Sequence, residues 1–69
     1  MRITRHAESQ MTRRGIGRPN ILAVMIHGRE TMTPKPHVMR RELEGLVVVY
    51  DDVYDVVITA FHRAQRRLR

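Results

Sequence analysis

The chain is 69 residues long, with 13 basic side chains against seven acidic ones, a formal net charge of +6 and no cysteine. That length holds one domain, and the lack of cysteine excludes disulfides, thiolate catalysis and Cys-type zinc sites. The longest apolar runs, Ile21 to Ile26 and Leu46 to Tyr50, fall far short of the roughly 20 residues of a spanning helix.

Residues 4 to 14 are predicted as a first helix. Thr4 can cap it, and Ala7, Gln10, Met11 and Arg14 recur at helical spacing. Gly15 sits where a left-handed residue ends a helix, and Ile16 can drop into the core behind it. Arg18-Pro19-Asn20 opens a second helix, where proline is tolerated because its missing N–H would be unpaired anyway. Ile21, Leu22, Val24, Met25 and Ile26 give that helix a broad apolar face, and Gly28 is its expected stop. Thr33-Pro34-Lys35-Pro36 forbids regular helix and predicts an extended loop.

The period then changes to two. Val38 to Leu43 alternates as a strand does, Glu44-Gly45 has hairpin length, and Leu46 to Tyr50 is a β-branched run. Asp51-Asp52 makes a turn, and Val53 to Phe61 is predicted as a third strand. A short extra strand near Ile3 or near Thr31 would make a fourth. The fold class is therefore α+β: two N-terminal helices packed on a three- to four-stranded antiparallel sheet. Val48, Val57 and Ile58 are expected in the core, and Tyr50 and Tyr54 as half-buried strand residues. Residues 1–62 form the domain and 63–69 a basic tail. A core this small is expected to be marginal alone, or to gain stability from a partner or a homodimer. The opening residues carry charge and no apolar signal core, so the cytoplasm is the expected compartment.

Charge is uneven along the chain. Residues 1–29 hold six arginines and one acid, residues 30–62 three basic and six acidic side chains, and residues 63–69 four arginines and no acid. If the two basic ends meet, they form one cationic face. Arginine suits phosphate because its planar fork can bond two oxygens at once. Arg2, Arg5, Arg13, Arg63, Arg66 and Arg67 are the expected nucleic-acid contacts. The alternative is a solvated surface that keeps a small protein soluble.

His6-Ala7-Glu8-Ser9-Gln10-Met11-Thr12-Arg13-Arg14-Gly15-Ile16 resembles the opening signature His-Ala-x-x-Arg-Met-x-x-Arg-Gly-Ile of a family of small bacterial and phage proteins of unknown function. The resemblance spans nearly the whole chain and closes on Val57-Ile58-Thr59-Ala60-Phe61-His62-Arg63. That family in turn resembles the RelE/ParE-like and barnase-like (BECR-fold) toxin nucleases. The resemblance implies a metal-independent ribonuclease toxin, without cofactor, held by an antitoxin or immunity protein. Gln10 departs from the pattern: it stands where the family has Arg, leaving one cation fewer on the first helix.

Metal-free RNA cleavage needs a base for the 2′-hydroxyl, an acid for the leaving oxygen and cations for the phosphate. Histidine suits the proton work, with an ordinary pKa of about 6.5, and arginine the charge work. His6 and Arg14 match the motif; Thr59 and His62 lie on the closing strand. These four are the candidate catalytic residues. Each has a plainer role open to it: a backbone hydrogen bond for His6, a helix-end cap for Arg14, strand propensity for Thr59 and a strand terminus for His62. His27 and His37 have no partner at metal-ligand spacing, and no metal site is expected. The expected function is a toxin-type endoribonuclease acting on RNA, with ribosome-associated mRNA as one candidate substrate. The rival readings are a non-catalytic nucleic-acid- or nucleoprotein-binding module, or a structural or inhibitory protein.

Overall fold

The computed structural model describes residues 1–63. The elements are β1 (Arg2–Ile3), α1 (Arg5–Arg14), α2 (Arg18–His27), β2 (Arg29–Met32), β3 (Val38–Leu43), β4 (Leu46–Asp51) and β5 (Val56–His62). The fold is α+β, both helices lying on one face of a sheet of order β1-β5-β4-β3-β2. The expected three- to four-stranded antiparallel sheet is corrected in two respects. The segments at Ile3 and Thr31 both form strands, which makes five, and β1 runs parallel to β5, with Arg2 beside Val56 and Ile3 beside Val57. Parallel neighbours need a long connection, and everything between β1 and β5 supplies it.

Helix α1 begins where expected. Thr4 is extended, and its Oγ1 accepts the Ala7 N–H at 3.0 Å. It ends at Gly15, whose left-handed φ of 68° lets its N–H reach back to the carbonyls of Met11 and Thr12. The Ile16 N–H also bonds Met11 at 2.9 Å, and the Ile16 side chain is buried. Helix α2 is opened by Asn20, whose Oδ1 accepts the Gly17 N–H at 2.9 Å, one half of a capping box. It does end at Gly28, in extended backbone rather than the left-handed region. Space is what demands glycine there: a Cβ would collide with the Val24 carbonyl oxygen and lie 3.1 Å from that of Glu42 on β3. Gly28→Ala should therefore destabilise the fold by about 1–3 kcal/mol, read as a lower midpoint in chemical denaturation.

The hairpin β3–β4 turns on Glu44 and Gly45, both at positive φ (50° and 87°), the two-residue turn that matches strand twist. The next strand starts at Val56, not Val53. The Asp51 carboxylate accepts the N–H groups of Val53 and Tyr54 at 2.9 and 3.0 Å, which winds residues 52–55 into a turn. Tyr54 is consequently 70% exposed in that turn, while Tyr50 is buried in β4; neither is the half-buried strand residue expected. Between β4 and β5 the register shifts. Tyr50 faces Val57 and Val49 faces Thr59, so Ile58 is an extra residue, a β-bulge.

Leu46, Val48, Tyr50, Val57 and Ala60 of the sheet meet Ala7, Met11, Ile16, Ile21 and Val24 in one core. Ile58 is only half-buried and lines a groove on the opposite face with Val49 and Arg40, which corrects its expected place in the core. Val47 also belongs to that opposite face, yet it is fully buried. Its register partners are Glu42 and Phe61, and the Arg63–Glu42 ion pair spans β4 beside it. Arg63, assigned to the tail, is thus tied to the domain, its N–H also bonding the Gly45 carbonyl at 2.7 Å. Arg66 and Arg67 lie outside the described residues. No helix among the described residues is long and apolar enough to cross a membrane.

Candidate nucleic-acid interface

The bulge and the short β1 together leave a polar edge on β5. β1 pairs only with Val56 and Val57, so the outer edge of β5 beyond Ile58 is left for α1 to border. At that edge the Thr59 hydroxyl donates to Gln10 Oε1 at 2.6 Å. Arg14 donates through one guanidinium nitrogen to the same Gln10 oxygen at 3.0 Å and to the Ala60 carbonyl at 2.8 Å. Arg14 is therefore a tie between helix and strand. It does not cap its own helix, whose last carbonyls are met by Gly15 and Ile16. Its remaining donors stay exposed, held in one orientation by these bonds.

His6, Gln10 and Arg14 follow at intervals of four, so they line one flank of α1. His6 is exposed in the first turn, one turn before Gln10, and Arg13 is exposed in the last turn. Arg2 and Arg5, both exposed, stand where the chain enters the helix. Four of the seven acids are engaged in ion pairs: Glu8 with Arg18 at 3.5 Å, Glu30 with Arg41 at 2.8 Å, Glu42 with Arg63, and Asp55 with the terminal amine at 3.3 Å. Among the described residues, Arg2, Arg5, Arg13 and Arg14 pair with no acid, and neither do Arg29, Lys35 and Arg40 on the β2–β3 side.

In the other half of the molecule, Arg41 is held by two side chains. Arg41 Nε donates to the Tyr50 hydroxyl at 3.1 Å and another nitrogen to Glu30. The Tyr50 hydrogen bond outweighs slight desolvation and, with Glu30, holds the guanidinium pKa above its ordinary value. That side chain locks β2 to β3 and β4.

The four candidate catalytic residues do not all converge. Arg14 and Thr59 share Gln10, and His6 lies on the same helix flank. His62 pairs in register with Leu46 and lines a cavity of about 270 Å³ with Asn20, Ala23 and Glu44, on the α2 and hairpin side. Two groups escaped the sequence reading. In sequence Gln10 is a position on the first helix and a missing cation; in the fold it is the acceptor that joins Arg14 to Thr59. The Ala60 carbonyl carries no side-chain signal at all. No cluster of three or more His, Asp and Glu side chains suited to a metal ion occurs among the described residues.

No family model, curated protein or solved structure matches this chain.

Proposed function

We propose that the α1–β5 edge binds RNA phosphates, and that the protein is a small toxin-type endoribonuclease working without metal. The observation that supports this best is the set of exposed arginines with no acidic partner, Arg2, Arg5, Arg13 and Arg14, around the Gln10–Thr59 pair. Four such arginines on one helix and the strand that leads into it form a local positive field that attracts phosphate. In this reading Arg14, pre-oriented by Ala60 and Gln10, holds the scissile phosphate and offsets its growing charge. His6 transfers a proton to or from the ribose or the leaving oxygen. The resemblance of the first helix to the nuclease-like signature supports the same assignment. The cytoplasm, with an antitoxin-type partner, is the setting we assign.

A second reading, a nucleic-acid-binding module without chemistry, is favoured by one observation. His62 faces the α2 cavity, so His6 is the only histidine on the α1 flank, and cleavage needs both an acid and a base.

Both readings require binding, and salt tests it. Affinity for a short single-stranded RNA should fall with ionic strength, each phosphate contact adding about 0.7 to the log–log slope. Gln10→Glu keeps an acceptor for Thr59 and Arg14 but sets a carboxylate against the guanidinium. It should raise the melting temperature slightly while weakening RNA binding and flattening the slope. Absence of binding at low salt would refute both readings.

A further inference from the structure

We propose that the groove on the helix-free face of the sheet binds a small carboxylate with an aliphatic body, of the size of a medium-chain fatty acid. The groove holds about 360 Å³, a volume suited to a small molecule. Its floor comes from adjacent strands. Val38 and Arg40 of β3 share this face with Val49 of β4, and Arg40 and Val49 are partners in register. The bulge sets Ile58 beside them, as the extra residue of β5. Val38, Val49 and Ile58 are each half-buried, so the floor is apolar and still open to solvent.

The loop segment from Thr33 to Lys35 forms the wall, and the chain's own bonds hold it there. Thr33 Oγ1 donates to the Val38 carbonyl at 2.7 Å and accepts the Lys35 N–H at 3.2 Å. Pro34 and Pro36 fix their own φ angles. A wall built this way needs little ordering when a ligand arrives.

Charge selects the occupant. Lys35, exposed, and Arg40, half-buried, overlook the floor. Among the described residues neither pairs with an acid, and no acidic side chain lines the groove. The acids nearest in register are committed: Glu42 pairs with Arg63, and the Asp51 carboxylate takes the N–H groups of Val53 and Tyr54. Arg29, opposite Glu42 in register, adds another cation without an acid on the same side of the sheet. Positive charge over a hydrocarbon floor suits an anion with an apolar body. The arginine fork matches the two oxygens of a carboxylate, while the aliphatic chain covers Val49 and Ile58.

Other occupants fit less well. A nucleobase is held by aromatic stacking and by side chains that read its edge. The groove has no aromatic lining, and its Thr33 hydroxyl is already bonded to the loop. A second copy packed groove on groove would set Lys35 and Arg40 against the same cations. The closing residues of the chain, with Arg66, Arg67 and Arg69, carry the wrong charge to fill it.

Methyl NMR of the full chain, titrated with hexanoate, octanoate and decanoate below their micelle concentrations, tests this apart from any RNA activity. The methyl signals of Val38, Val49 and Ile58 should shift and saturate, while those of Ile21 and Val24, buried on the helix side, should stay in place. Each added pair of methylenes should tighten binding by up to about tenfold. Octan-1-ol has the same body without the charge and should bind about tenfold more weakly than octanoate. The double variant Lys35→Gln, Arg40→Gln should lose a similar factor for octanoate, with circular dichroism reporting that it is folded. Arg13→Gln, on α1, should change nothing. The absence of a saturable shift with decanoate, equal affinity for octanol and octanoate, or unchanged affinity in a folded double variant each overturns the proposal. Shifts of the same methyls with protein concentration alone would give the groove to a second copy and overturn it as well.

Discussion

Val57→Ala should lower the melting temperature sharply. Val57 is fully buried, opposite Tyr50 and beside the bulge, in the core that both helices share. Removing its two methyl groups loses transfer free energy of about 0.8 kcal/mol for each, and the cavity left behind adds to that, for a total of about 2–3 kcal/mol. Native stabilities of about 0.05–0.15 kcal/mol per residue give a chain of 69 residues about 3–10 kcal/mol in all. A single truncation at this point therefore removes a large share of the stability. The same change at Ile58, half-buried on the other face, should cost distinctly less, although isoleucine loses more atoms. Denaturation of the two variants side by side checks the bulge: equal losses, or a larger loss at Ile58, would mean that the chain continues through that point without the register shift.

This contrast shows which parts of the fold the sequence could reveal. Helix ends were legible because their chemistry is local: Thr4 bonds three residues ahead, and Gly15 adopts its own left-handed conformation. The hairpin at Glu44-Gly45 was legible by length. Alternation within β5 was not, because the bulge at Ile58 exists only relative to β4, and no property of Ile58 itself announces it. The start of β5 was misplaced for a similar reason. Val53 and Tyr54 are good strand formers, but the Asp51 carboxylate takes their N–H groups first. Of the two shortest strands, β1 pairs with the distant β5 and β2 with β3 across the proline loop, so the local pattern could suggest their positions but not that both would pair.

The site divides along the same line. Arg14 and His6 could be picked out because the first helix carries a recognisable pattern. What Arg14 does there depends on Ala60, 46 residues away, whose carbonyl it meets. Gln10 looked like a loss when judged as a substitution in a motif. In the folded chain it is the oxygen on which Thr59 and Arg14 converge, and an arginine in its place would bring two guanidinium groups together with no acceptor between them.

The largest effect expected on activity belongs to His6. It is exposed and stands at the start of α1, so His6→Ala should melt close to the unaltered chain and bind RNA with nearly unchanged affinity. If His6 moves a proton in the rate-determining step, cleavage should fall by about 10² to 10⁴. Arg14→Ala should look different. It removes the hydrogen bonds to Ala60 and Gln10, each worth about 1 kcal/mol, so the melting temperature should drop. If Arg14 holds the phosphate as proposed, the change also removes a cation needed before and during reaction, so binding and rate should weaken together. The pair of variants separates the chemistry from the scaffold: one loses rate alone, the other loses stability, affinity and rate. Should both variants and the unaltered chain bind RNA without cutting it, tested on total RNA and on translating ribosomes, the proton-transfer role of His6 falls. The α1–β5 edge would then be a phosphate-binding surface in which Arg14 and its neighbouring arginines make all the contribution.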